Sequence, residues 1–467
     1  MSRQVAVTTW LRRLRVGLLA LAAVMAAATA LLGRTVRDAA QAYLFGFPLV
    51  IMDVTREAFV ATQGPENTLV RVRRFPDASF RAVVRPNVDT LYTTAFIDMD
   101  RGPWRFEMAA NDLRYETMPL MDGWTNVFAA PGSRTTGRDG GRFLLVGPKW
   151  QGTPPGGLTL LRSPTRIAWL IGRTQTHGEA DYPLVHRLQD GLRLTRWPAP
   201  ADSAPDAAPA PAAASAAGTA AATPAPPPIE QMRAMDTTAL FERLARLMAD
   251  NPPSPADAPM VETLDRLGLA PGRPPQWGPL QRSAAALGRW LADRQVARAL
   301  AAPPTSPQGW FTPPSHVGRY GTDYATRAAV AMVGLGANLP DDAIYPVARV
   351  DGQGRRLDGS HRYRLHFAAD AGPPVHAFWS VTAYGPDDFF IDRPERRYAL
   401  GDRDPLVRNA DGSLDLWIQA EPPAPAQRSN WLPVQAGQPF LLNARLYWPR
   451  TEALDGRWQM PPLERLD

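Results

Sequence analysis

The sequence predicts a mainly β protein: two β-rich regions, each with the pattern of an antiparallel sandwich or barrel, separated by a helical connector. Three observations carry this. Short apolar or alternating runs punctuated by Gly, Pro, Asn and Asp fill residues 69–173, and the same pattern returns from 343 to the C-terminus. Helical periodicity is concentrated between those regions and near the N-terminus. Among 467 residues there are 49 Pro and 36 Gly, which favours short strands and many turns over long helices.

The N-terminal segment has the order of an export signal. Arg12, Arg13 and Arg15 precede an apolar run from Val16 to Leu32, and Ala28-Thr29-Ala30 offers an A-x-A cleavage site. The expectation is a periplasmic or secreted protein with no stable membrane span once the leader is cleaved. The alternative is an uncleaved anchor, since a run of about 17 residues is at the lower limit for spanning a bilayer. From Thr35 to Val60 apolar residues recur at helical spacing, interrupted by Gly46 and Pro48, which reads as a helix, a break and a second short helix.

Strands are expected at Thr93–Ile97, Arg105–Met108, Thr125–Ala129, Arg142–Val146 and Ile167–Ile171, at a spacing that suits antiparallel layers. Residues 198–228 are nearly all Ala and Pro, with nothing to bury, and read as a solvated spacer. Asp236 then caps a helix with Leu240, Leu244, Leu247 and Met248 on one face, ended by Asn251-Pro252-Pro253. Further helices are expected over Gln281–Leu300 and within Tyr320–Leu335. The C-terminal strands are Arg362–Phe367, Ala377–Tyr384, Ser413–Gln419 and Phe440–Tyr447, with Asp411-Gly412 as a tight turn. The implied division is a signal peptide over 1–30, a β domain over 31–197, the spacer over 198–228, a helical connector over 229–340 and a second β domain over 341–467.

Composition excludes several classes of chemistry. There are no cysteines, which removes disulfides, thiolate metal sites and cysteine nucleophiles. Arg3, Arg12, Arg13 and Arg15 supply four of the formal +6 charge; without the leader +2 remains, too little for an electrostatic nucleic-acid footprint. No P-loop, G-x-S-x-G or H-E-x-x-H is present, so neither a cofactor nor a metal is expected. His366 shares a strand face with Arg364 and is expected on the solvent side.

Specific strings then become recognisable. Arg85-Pro86-Asn87-Val88-Asp89-Thr90-Leu91-Tyr92, Met121-Asp122-Gly123-Trp124-Thr125-Asn126-Val127-Phe128, Gly132-Ser133-Arg134-Thr135-Thr136-Gly137 and Val146-Gly147-Pro148 resemble the domain of unknown function numbered 1254. Tyr320-Gly321-Thr322-Asp323-Tyr324, the run Ala377–Tyr384, the run Arg397–Arg403, Asn430-Trp431-Leu432-Pro433 and Leu446-Tyr447-Trp448-Pro449 resemble its usual partner, numbered 1214. The resemblance reaches from about Tyr43 to the C-terminus. It implies two jelly-roll sandwiches joined by a helical connector, frequent export and homo-oligomeric assembly, trimers included. It supplies no catalytic residues, and the Ala/Pro-rich spacer departs from its usual spacing.

Seven residues make up the candidate ligand site: Asn87, Asp89, Tyr92, Asp122, Trp124, Asn126 and Arg134. Strand periodicity would put Asn87 and Asp89 on one side and Tyr92 on the other, and an Asn beside an Asp can orient a hydroxyl, a sugar or a hard cation. The plainer reading is Asx-type bonds that set the start of the strand. Trp124, flanked by Asp122, Asn126 and Arg134, has the apolar face and directional partners that a carbohydrate or lipid-like ligand needs. Its plainer reading is a core Trp, with Arg134 pinning a loop through a carboxylate. Arg397 and the run Gly401-Asp402-Arg403-Asp404 read as a turn with exposed ion pairs. The leading expectation is an exported envelope protein with a binding or structural assembly role. The alternative is an envelope hydrolase or carbohydrate- or lipid-active enzyme using Asp89 and Asp122 in one cleft.

Overall fold

The computed structural model describes residues 2–81, 83–111, 113–198, 226–301, 303 and 305–467. The Ala/Pro-rich spacer therefore lies outside the described residues except at its ends. The chain divides into two compact units, residues 1–50 with 234–301 and residues 51–233 with 302–467.

The expected break near Gly46 and Pro48 is corrected: a single helix, Ser2–Thr62, runs through both. A proline inside a helix loses a hydrogen bond and costs about 3 kcal/mol. Here Phe45, Phe47, Leu49, Val50, Ile51 and Met52 are all buried, and that burial offsets the cost. In the first unit the helix Thr237–Asp250 is capped as expected, with Asp236 accepting from the Thr238 and Ala239 amides at 2.8 and 3.2 Å. Its Leu244 lies against Gly46, where an added Cβ would come within 2.3 Å of the leucine side chain. Helix Pro279–Ala301 approaches residues 36–40 just as closely at Gly288, and Tyr43 donates to Asp293 at 2.6 Å. Two helices that the periodicity did not reveal, Tyr182–Asp190 and Ala258–Arg266, both carry proline in the first turn. Among the described residues no helix is long and apolar enough to cross a membrane.

The second unit is mainly β and holds four sheets. In its first half, Val70–Arg71, Thr90–Asp98, Ile167–Gln175, Leu120–Asp122 and Val127–Ala129 neighbour one another in that order, with Glu116–Thr117 also on Ile167–Gln175. The other sheet of this half orders Arg193–Arg196, Trp104–Met108, Gly141–Val146 and Thr159–Arg162. The second half repeats the plan. One sheet orders Trp310–Phe311, Val347–Ala348, Leu441–Pro449, Val375–Tyr384 and Ala399–Gly401, with Ala343–Ile344 added, and the other orders Trp431–Pro433, Leu414–Gln419, Tyr363–Phe367 and Leu463–Arg465. Pairing is antiparallel except for one edge pair in each four-stranded sheet.

Each half buries one apolar cluster fed by both of its sheets. Ala95, Ile97, Leu170, Phe106 and Leu145 meet in the first, and Leu365, Phe367, Val381, Leu416 and Leu446 in the second. Trp104–Met108 and Tyr363–Phe367 alternate buried and half-buried positions, as the pattern predicts. Thr90–Asp98 and Val375–Tyr384 do not, because their other face is covered as well. That second buried face carries the site.

Candidate functional site

The first strand of the site starts three residues before the expected Thr93. It begins at Thr90, so Asn87 to Asp89 form a turn in which Asn87 Oδ1 accepts from the Asp89 and Thr90 amides at 3.0 and 3.1 Å. The expectation that Asn87 and Tyr92 lie on opposite sides is corrected: Asn87 Nδ2 donates to the Tyr92 hydroxyl at 2.8 Å. Period two applies only inside a strand, and the turn rotates Asn87 onto the face of Tyr92.

Asp89 points into the protein and is fully buried. Its Oδ2 accepts from Ser380 Oγ at 2.8 Å, its Oδ1 accepts from Arg403 Nη2, and its carbonyl accepts from Arg403 Nη1 at 3.1 Å. This corrects the reading of Gly401–Asp404 as a turn of exposed ion pairs. Arg403 is withdrawn from solvent, with its guanidinium 4.3 Å from the centre of the Phe378 ring. Asp402 beside it is pushed up to about 6 by burial. The charge pattern Asp-Arg-Asp is the same on an exposed turn and a buried one; only the partner at position 89 separates them.

Cross-strand register assembles the rest. Tyr92 lies opposite Arg173, Ser380 opposite Arg445 and Phe378 opposite Tyr447. Arg445 donates to Thr382 Oγ1 at 2.6 Å, to the Tyr384 hydroxyl at 2.6 Å and to the Arg85 carbonyl at 3.0 Å. Tyr384 in turn donates to the Pro86 carbonyl. Arg173 donates to Asn338 Oδ1 and to the carbonyl of Gly336, and its guanidinium lies 5.1 Å from the Tyr92 ring centre. The result is a buried cluster of Arg173, Arg403, Arg445, Asp89 and tyrosine hydroxyls, contributed by strands and turns of both halves. Sequence reading missed Arg173, Arg445 and Tyr447, because polar residues at every second strand position look like a solvent-facing surface.

The second string goes elsewhere. Asp122 Oδ1 accepts from the Trp124 and Asn126 amides, both at 2.9 Å, and Oδ2 from Asn126 Nδ2 at 3.0 Å, closing the turn before Val127–Ala129. Burial pushes Asp122 up to about 6. Thr125, expected in the strand, occupies the left-handed region of that turn at φ 68°. Trp124 is buried with the Arg327 guanidinium 5.4 Å from its ring centre, so the stacking face expected for a sugar is already covered. Arg134 makes a bidentate pair with buried Asp342 at 2.7 and 2.9 Å, as the plainer reading holds. Asp89 and Asp122 share no bonding partner among the described residues. Asn87, Asp89 and Tyr92 form one constellation and Asp122, Trp124 and Asn126 another.

A cavity of about 610 Å³ opens at a place the sequence reading did not select. His366, Arg457, Trp458, Gln308, Gln459 and Glu464 are among its lining residues. His366 is half-buried and lies directly across from Asp415, its Nδ1 2.7 Å from Asp415 Oδ1, with the carboxylate oxygen as the acceptor of the Nδ1–H bond. Arg364 holds Glu464 in the same way across the neighbouring strand pair. The signal was present in two charged pairs on alternating outward positions, but register alone brings them together.

The fold and its shared polar interior define a two-part β protein. Residues 66–196 match the family described as protein of unknown function (DUF1254), and residues 342–451 match protein of unknown function (DUF1214). The chain carries both domains of unknown function in that order. No curated protein matches it. The crystal structure of the VPA0106 protein from Vibrio parahaemolyticus is similar over 93% of this chain and 100% of that chain, at 23% identity and TM-score 0.66, a likeness of fold. The crystal structure of an uncharacterized protein from Burkholderia cenocepacia aligns over 95% of this chain and 96% of that chain at 14% identity, with a TM-score of 0.46. None of these matches indicates an activity, a substrate or a partner.

Proposed function

We propose that this chain is an exported cell-envelope protein that binds a ligand and assembles with copies of itself, rather than one that turns over a substrate. The observation that carries the reading is the fate of the two carboxylates an enzyme would need. Asp89 is bonded to Ser380 and Arg403, and Asp122 to the amides of its own turn, so neither is free to exchange a proton with a substrate. The cavity beside His366 and Trp458 has the room and the mixture of ring and polar groups that suit a carbohydrate or lipid-like headgroup.

Titration of the purified chain with soluble oligosaccharides and short-chain lipid headgroups, followed by tryptophan fluorescence, tests the binding role. Trp458→Ala is expected to weaken binding about tenfold, equivalent to about 1.4 kcal/mol, while Asp122→Asn leaves it unchanged. Failure of both ligand classes to bind wild-type protein removes the binding role. Size-exclusion with light scattering tests assembly: a stable oligomer at micromolar concentration is expected, and a clean monomer removes that part of the reading. The mature N-terminus, read by mass spectrometry of exported protein, is expected at Leu31.

A further inference from the structure

The buried cluster between the two β halves holds phenolic donors that have no acceptor among the described residues. Tyr447 is fully buried and its hydroxyl has no partner among the described residues. Tyr345 accepts from Asn338 Nδ2 at 2.7 Å and Tyr92 accepts from Asn87 Nδ2 at 2.8 Å, yet neither phenolic proton has an acceptor among the described residues. Burial pushes Tyr345 up to about 12 and Tyr447 well above the ordinary phenol range, so both keep their protons and remain donors. These phenols lie within electrostatic reach of one another and of Arg173 and Arg445, and Tyr447 also of the Asp89 carboxylate, which Ser380 and Arg403 already bond. A buried donor left unmade costs about 1–3 kcal/mol, a cost that Tyr447, wholly buried, carries in full, while Tyr92 and Tyr345 keep partial access to solvent.

Charge points the same way. Arg173 is buried and has no carboxylate within 4 Å among the described residues; its donors end on carbonyl oxygens. Arg445 has only Asp89 Oδ2 at 4.0 Å, an oxygen that Ser380 already occupies. Asp89 and Asp402 serve Arg403. Arg173 is therefore the guanidinium left without a carboxylate, and a buried unpaired charge is expensive. A water molecule would satisfy hydroxyls but leave that charge standing.

We propose that a small monovalent anion, either a halide or a formate-sized carboxylate, binds among the hydroxyls of Tyr92, Tyr345 and Tyr447 beside Arg173 and Arg445. Its charge follows from Arg173, the buried guanidinium without a carboxylate. Its size follows from the setting, since Arg445 and Tyr447 are buried and only Tyr92 and Tyr345 remain half-exposed to form a way in. Tyr92 and Arg173 come from the first half, Tyr447 and Arg445 from the second, so the bound ion fastens the two halves together. This site is separate from the cavity beside Trp458, and its test does not depend on that ligand.

The full chain, exchanged into sodium gluconate, is titrated with sodium chloride, sodium bromide or sodium formate at constant ionic strength while Tm is followed. A saturable rise in Tm is expected for at least one of the three salts; saturation at lower concentration by the halides identifies a spherical ion, and by formate a planar carboxylate. Tyr447→Phe removes only the unbonded hydroxyl. It is expected to leave Tm in gluconate equal or higher, and to shift the anion midpoint at least tenfold. Crystals grown in the saturating salt should show bromide anomalous density, or formate density, at the three hydroxyls. A Tm indifferent to all three salts, an equal rise in Tyr447→Phe, or a cluster holding only water in those crystals overturns the proposal.

Discussion

Arg403→Met is expected to cost about 3–5 kcal/mol of folding stability, the penalty for stranding a buried carboxylate. Asp89 is wholly withdrawn from water and depends on Arg403 for the bond to Oδ1 and for a second bond to its carbonyl. Methionine keeps the stem packed against Phe378 while removing the charge, so the loss reports on the ion pair rather than on a cavity. Urea denaturation at pH 7 measures it. The double variant Asp89→Asn with Arg403→Met should recover at least half of the loss, because the stranded charge is gone. A single-variant cost below about 1 kcal/mol, the range of an exposed pair, would show that this bond does not hold residues 86–92 in place.

Stability is also expected to fall between pH 5 and pH 8, and Glu116→Gln should remove much of that fall. Burial pushes the Glu116 carboxyl up to about 7 from an ordinary 4.5. The folded chain therefore binds this proton more tightly than the unfolded one. The resulting stability is fully present below about pH 4.5 and is lost as pH rises through 7. At about 1.4 kcal/mol for each pH unit separating the two values, the loss is on the order of 3 kcal/mol. Asp122 and Asp402, both pushed up to about 6 by burial, act in the same direction. Asp98 and Asp181 run the other way, since bonds from Arg166 and Arg114 outweigh their burial, but they titrate below pH 5, so their contribution is fully present and constant between pH 5 and pH 8. Urea midpoints of wild type and variant at pH 5 and pH 8 isolate the Glu116 contribution. Equal pH slopes in the two proteins would refute it.

These predictions involve residues whose importance sequence reading weighed unevenly. Asp89 was legible as a candidate because Asn, Asp and Tyr crowd a strand start, but its partner was not. Arg403 sits 314 positions away in a run of alternating charge. Glu116 lies on a two-residue strand too short for any periodicity to place it. Trp124 shows the opposite failure: the aromatic with polar neighbours was legible, but whether its ring meets a ligand or Arg327 depends on where a distant helix packs.

Strands and turns were largely legible. The long strands over 90–98, 104–108, 141–146, 363–367, 375–384 and 441–449 stand where alternation and turn residues put them. The cap at Asp236 follows from its side chain and the next two amides alone. Helix Ser2–Thr62 was misread at Pro48 because the burial that offsets a proline is contributed by remote residues.

Local chemistry, acting over a turn or a few pleats, thus sets which stretches become strands, where helices begin and which family strings appear. The mating of residues 85–92 with 380–403 and 445, and the opening beside His366, arise only when separate strands are brought into register. A backbone torsion responds to its neighbours in the chain, whereas a buried charge responds to whatever lies within a few ångströms. That proximity is a property of the folded arrangement.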